Sequence, residues 1–188
     1  MGFFDDLLGR TRLPKSNEDK LFAMTTAAVS LEASGGLSAA GRAGIVFKNL
    51  PPGRFDQLSQ DVHQLVQLQA GEDQLGVESH TDELGFDWII VSGPDLEATV
   101  ATLHSVADTL LEQGLGDLLL ACAFRFQQEG RPVYWVYGYK QASFYPFVPS
   151  AARTRDNAAE LRLAALAKGE LPVEPLLERW YALWGIPV

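Results

Sequence analysis

The stretch "DLLLACAFRFQ", joined by "QEG" to "RPVYWVYGYK", constrains the fold more than any other part of the chain. Two apolar segments flank a short polar turn, the pattern of a β-hairpin. In the second segment Val133, Trp135, Tyr137 and Tyr139 alternate with Tyr134, Val136, Gly138 and Lys140. One set can line a core. The other set still carries apolar area, so its face also needs a cover. The C-terminal segment "VEPLLERWYALWG" offers one. Leu176, Leu177, Trp180, Tyr181 and Trp184 recur at helical spacings between Pro175 and Gly185. This predicts a helix folded back on the hairpin, with Trp180 and Trp184 at least partly buried and its edge bordering a partner.

The remaining chain reads as hairpins and amphipathic helices. "AAVSLEA" (27–33) alternates as a strand, "SGGLSAAGRAG" reads as a glycine-rich turn, and "GIVFKNL" (44–50) as a second strand. "RFDQLSQDVHQLVQLQ" has helical periodicity. "QLGVESH" and "GFDWIIVS" form the next strand pair. A helix follows Gly93-Pro94-Asp95, with Leu96, Val100, Leu103, Ala107, Leu110 and Leu111 as its buried stripe. After the hairpin, "SFYPFVP" is an edge strand because Pro146 and Pro149 cannot donate to a ladder. "RDNAAELRLAALAKG" is a helix. The order strand-strand-helix, twice, then three strands and two helices, defines an α+β class. The sheet is mainly antiparallel and built from hairpins, with helices packed largely on one face and a C-terminal helical pair. The two strand-strand-helix blocks read as two hairpins of one sheet, with an old duplication as the alternative. Residues 1–16 are a short helix and linker, and 17–188 one α+β domain.

Chemical signals are few. With 24 acidic against 15 basic residues, the net charge of −9 excludes general nucleic-acid binding. Cys122, the single cysteine, sits in the most apolar strand and reads as a small core residue; no intrachain disulfide can form. His63, His80 and His104 have no paired-ligand spacing, and "ESHTDE" (78–83) reads as a solvated acidic turn rather than a metal site. "GLSAAGRAG" lacks the Lys-Ser/Thr pair of a phosphate loop. No cofactor, metal or catalytic constellation emerges, so a non-enzymatic protein is expected. The longest apolar run, Leu118 to Phe124, falls far short of the roughly 20 residues of a membrane span. Asp5 and Asp6 stand where a signal peptide would carry bases, and Asp6 where myristoylation wants Ser or Thr. These features point to the cytoplasm, without direct membrane insertion.

Three stretches together resemble one family: "MGFFDDLLGR", "RPVYWVYGYKQASFYPFVP" and "RDNAAELRLAALAKGELPVEPLLERWYALWGIPV". They are similar to the phage-shock-protein-A-associated family PspAB. The resemblance implies an accessory of a PspA-like coiled-coil protein in envelope stress, membrane-peripheral through that partner. It carries over no catalytic residues. The element order is also similar to the YbjN and type III secretion chaperone group, on topology alone. The expected partner-binding residues are Phe3, Phe4, Leu7, Leu8, Tyr137, Tyr139, Tyr145 and Trp184. Two alternatives stand beside the adaptor: a small-ligand binder or enzyme with a pocket near the aromatic hairpin, built from Arg125, Tyr137, Tyr139, Lys140 and Arg153, and a structural homodimer subunit.

Overall fold

A computed structural model describes residues 20–48, 50, 51, 53–69 and 75–188. The chain enters through a 3-10 turn, Lys20–Phe22, that continues into α1, Ala23–Gly35. This helix replaces the strand expected at 27–33. Met24, Ala27 and Leu31 are its buried residues, spaced for one helical face, and Ala, Met, Leu and Glu all favour helix. Gly36, at φ 63°, closes it by donating to the Glu32 carbonyl, and the Leu37 N–H reaches the Leu31 carbonyl. The first strand, β1, is Ser38–Phe47, so the supposed glycine turn is mostly strand. There follow α2 (Arg54–Gln69), β2 (Gly76–Thr81), β3 (Asp87–Ser92) and α3 (Leu96–Glu112). The hairpin strands are β4 (Leu119–Gln128) and β5 (Arg131–Gly138), and β6 is Ser143–Phe147. A two-stranded ribbon, β7 (Pro149–Ser150) with β8 (Thr154–Arg155), leads into α4, Asn157–Leu166. The first block is thus helix-strand-helix, and the pattern shared with the second is not a repeated strand pair.

The six-stranded sheet has the order β2-β3-β1-β4-β5-β6, with every neighbouring pair antiparallel. The fold is α+β. β6 lies at one edge, where Pro146 was expected, and Phe144 exchanges backbone hydrogen bonds with Pro172 and Glu174 along that edge. Both faces are apolar, as the alternation in β5 requires. On one face Ile45, Phe47, Ile89, Phe124, Val133, Trp135 and Tyr137 pack against buried residues of all four described helices. On the other, Val46, Trp88, Ile90, Ala123, Tyr134 and Val136 form a second cluster with Trp180 and Val188.

The cover of this second face is not the helix expected from the spacing of Leu176 to Trp184. Only Leu177–Arg179 forms a 3-10 turn; the rest of 172–188 runs without regular helix. Trp180 is buried and donates from Nε1 to the Glu174 carbonyl at 2.9 Å, and Trp184 is half-buried with its ring edge-on to Phe147. Val188 is buried, and its oxygen accepts from Arg125 Nη1 and the Tyr134 hydroxyl. Arg42 donates to the Pro187 carbonyl while holding Glu78 with both terminal nitrogens. No helix among the described residues is long and apolar enough to cross a membrane.

Candidate functional site

Between the tail and the sheet lies a cavity of about 360 Å³. Its floor follows one row of cross-strand partners. Trp88 of β3 pairs with Val46 of β1, Val46 with Ala121 of β4, and Ala121 with Gly138 of β5. Ala121 and Gly138 are small, which leaves the row open on the tail side. The opposite wall is the tail, Tyr181 to Ile186, turning at Gly185 with φ 75°. Exposed Leu84 and half-buried Phe86 of the β2–β3 turn stand at one end. At that end the Asp82 carboxylate accepts from the Leu84 and Phe86 amides and from Trp88 Nε1, each at 2.9 Å. Gln141 stands at the other end, close over Gly138: a Cβ on Gly138 would meet its Oε1 at 2.8 Å.

A second apolar surface borders α4. Two depressions of about 350 and 460 Å³ share Leu161, Leu177 and Trp180. Leu161 is 50% exposed and Leu177 56% exposed, and Lys168 lines one of the depressions. One of them is also lined by a partly buried ion pair, Arg155 with Glu160. Glu160 accepts from Arg155 Nε through both oxygens and from the Val148 amide. Arg155 also donates to the Trp180 carbonyl and stacks over the Phe147 ring.

The expected site residues are dispersed by this architecture. Phe3, Phe4, Leu7 and Leu8 lie outside the described residues. Tyr137 and Tyr139 are wholly buried on the helix side, with the Tyr139 hydroxyl 3.3 Å from Cys122 Sγ. Tyr145 is buried on the tail side, and burial pushes its phenol well above the ordinary range. Trp184 lines the cavity. Arg125 lies on the tail face, so the sheet separates it from Tyr137 and Tyr139, and Arg153 sits in the 3-10 turn Ala151–Arg153. The five polar groups proposed for a pocket near the hairpin therefore do not converge. A cavity does adjoin the hairpin, but its lining is mainly apolar, with polar groups at its ends, and includes none of those five residues. Leu161 was not singled out in the sequence, whereas Leu177 was placed on the apolar face of the tail whose edge was expected to border a partner. Among the described residues no further helix packs over them, and both stay about half exposed.

Among the described residues no group of three His, Cys, Asp or Glu side chains is arranged to hold a metal. His63 Nδ1 bonds the Ser59 carbonyl, and the His104 ring packs on Phe22. Cys122 is buried, and the loss of solvent pushes its thiol up to about 12. Neither a curated protein nor a solved structure matches the chain. The family model described as PspA associated protein B matches residues 1–188, and the chain belongs to that family.

Proposed function

We propose that this protein is a non-enzymatic, cytoplasmic accessory that binds a PspA-like coiled-coil protein through the α4 surface. The family description supplies the association with PspA. The observation that carries the surface is the pair of half-exposed leucines, Leu161 and Leu177, where the two depressions meet over Trp180. A helix can lay its apolar stripe into such a groove, with anchors at i, i+3 and i+7. Each anchor buried there contributes roughly 1.5–3 kcal/mol. Trp184 and the apolar residues Phe3, Phe4, Leu7 and Leu8 are proposed as secondary contacts to the same partner, which would place the complex at the membrane periphery.

The test is co-purification of a PspA-like protein from the native cell. The double variant Leu161→Asp, Leu177→Asp introduces charge at exposed positions, so its melting point is expected to stay near the parent's while the partner is lost. Retention of the partner at the parent's yield would overturn the assignment of this surface. A chain that runs as a dimer alone, and whose dimer the same variant dissociates, would replace the adaptor by the homodimer reading.

A further inference from the structure

We propose that the cavity beneath the tail is a binding site for a single fatty acyl chain, with the chain's polar head at the Gln141 end. The shape of the cavity is the first reason. Its floor crosses from β3 to β5, three inter-strand spacings, a span of roughly 14 Å. A compact side chain from a partner fills only part of such a slot, whereas an extended hydrocarbon chain follows it. The volume, about 360 Å³, sits at the low end of small-molecule sites, which run from roughly 300 to 1,000 Å³.

The lining is the second reason. Apart from Asp82, Gln141 and the two tyrosines Tyr145 and Tyr181, the floor and ends present Val46, Trp88, Leu120 and Ala121 to the lumen, with Leu183 and Ile186 of the tail opposite. Hydrogen-bonding groups along the slot would be left unpaired by hydrocarbon at a cost of about 1–3 kcal/mol each; the floor pair Val46 and Ala121 carries no polar side chain, and the Tyr145 phenol is engaged with Tyr181.

The third reason is the difference between the two ends. Asp82 is a carboxylate whose oxygens already accept from two amides and an indole. An anionic head placed there would meet like charge, and a carbonyl head would face an acceptor with no donor to offer it. The opposite end offers the Gln141 amide, which can donate to an anionic or carbonyl head. The head therefore belongs at Gln141 and the hydrocarbon terminus toward Trp88 and Leu84. Trp88 and Trp184 both line the slot, so its occupation changes indole fluorescence.

The experiment uses the full chain and dissolved, monomeric probes: laurate, lauroyl lysophosphatidylcholine, dodecanol and octanoate. Laurate is expected to bind saturably, one per chain, and to bind more tightly than octanoate. Binding of laurate but not of the lysolipid assigns the source to free fatty acid, and the reverse assigns it to lipid; either supports an acyl occupant. Ala182→Phe, on the tail wall, and Ala121→Phe, in the floor, are expected to weaken binding at least tenfold. Ala182→Phe should leave the melting point unchanged. Gln141→Glu is expected to weaken laurate more than dodecanol; an equal effect on both overturns the placement of the head. The proposal fails if no chain binds, or if both Phe variants bind as the parent does. It also fails if a PspA-like protein occupies the slot and laurate does not compete with it. Leu161→Asp, Leu177→Asp is expected to keep laurate binding, so loss of the partner surface and loss of the acyl site are read separately.

Discussion

Gly44 and Val188 touch across the sheet-tail contact: a Cβ on Gly44 would stand 2.7 Å from Val188 Cγ2 and 3.2 Å from Trp88 Cε3. The absent side chain in the middle of β1 is what lets the last residue seat against the sheet. Adding a methyl group there forces the tail or the indole to move.

Gly44→Ala is therefore expected to lower stability by about 1–3 kcal/mol, the usual range for overpacking. Val188→Ala in the same chain removes the atom that clashes and should recover part of the loss. Urea denaturation of both single variants and the double variant checks this, and additive effects would show that the two residues do not meet.

Trp180 should be the costliest single truncation in the tail. It is 7% exposed, and its indole N–H is held by the Glu174 carbonyl. Trp180→Ala removes a large buried ring, for which about 3–5 kcal/mol is typical. Chemical denaturation measures it. A loss below about 1 kcal/mol would mean that the tail covers the sheet without stabilising it.

Arg155 and Glu160 form the pair that ties the tail to α4. Glu160 is 2% exposed and satisfies the Val148 amide as well as the guanidinium. Glu160→Ala strands a largely buried cation and an amide, and about 3–5 kcal/mol is expected. The double variant with Arg155→Met should cost less than the sum of the two singles. A full double-mutant cycle reads the coupling.

Cys122 should resist thiol reagents in the folded chain. Its thiol is wholly buried and pushed up to about 12. The folded state thus holds the proton more tightly than the unfolded state does, whose value is near 9.0. The associated stability is fully present below pH 9 and is lost as pH rises from there toward 12. Reaction with Ellman's reagent at pH 8 is expected only on unfolding, in step with loss of circular dichroism.

Glu78 titrates below its ordinary value because Arg42 donates to both of its oxygens. Its contribution to stability is present above about pH 4.5 and fades as pH falls through the lowered value. The carboxylate is 58% exposed, so the gain is under about 1 kcal/mol. A side-chain NMR titration should show Glu78 returning to the ordinary range in Arg42→Met.

Much of the frame was legible locally. The alternation in "VYWVYGYK" correctly divided Val133, Trp135, Tyr137 and Tyr139 from Tyr134 and Val136, because residues two apart on a strand share a face. The stripe from Leu96 to Leu111 located α3, and Asp95 caps it by accepting from the Ala98 amide. The candidate sites were far less legible. Tyr139 reaches Cys122 on the preceding strand, on the diagonal from the register pair Cys122–Tyr137, a contact fixed by how the two strands align rather than by local spacing.

The segment 27–33 shows where periodicity runs out. Seven residues of Ala, Val, Ser, Leu and Glu fit both a strand and a helix, and only the packing of Met24, Ala27 and Leu31 against α3 and α4 chooses. The tail shows the same limit more sharply. Leu176, Leu177, Trp180, Tyr181 and Trp184 carry a helical spacing, and the requirement that the second sheet face be covered was already present in the alternation of β5. Which conformation does the covering was decided in three dimensions. An extended chain advances about 3.3 Å per residue and a helix 1.5 Å, so a tail this short spans the face from Trp180 to Val188 only when it is drawn out. The sequence by itself determined that both faces of the sheet are apolar and that aromatic residues of the tail are buried. The tertiary structure decided that they are buried along an extended path anchored by Arg42, Arg125 and Tyr134, because the width of the sheet, not the local spacing of the tail, sets the distance that must be covered.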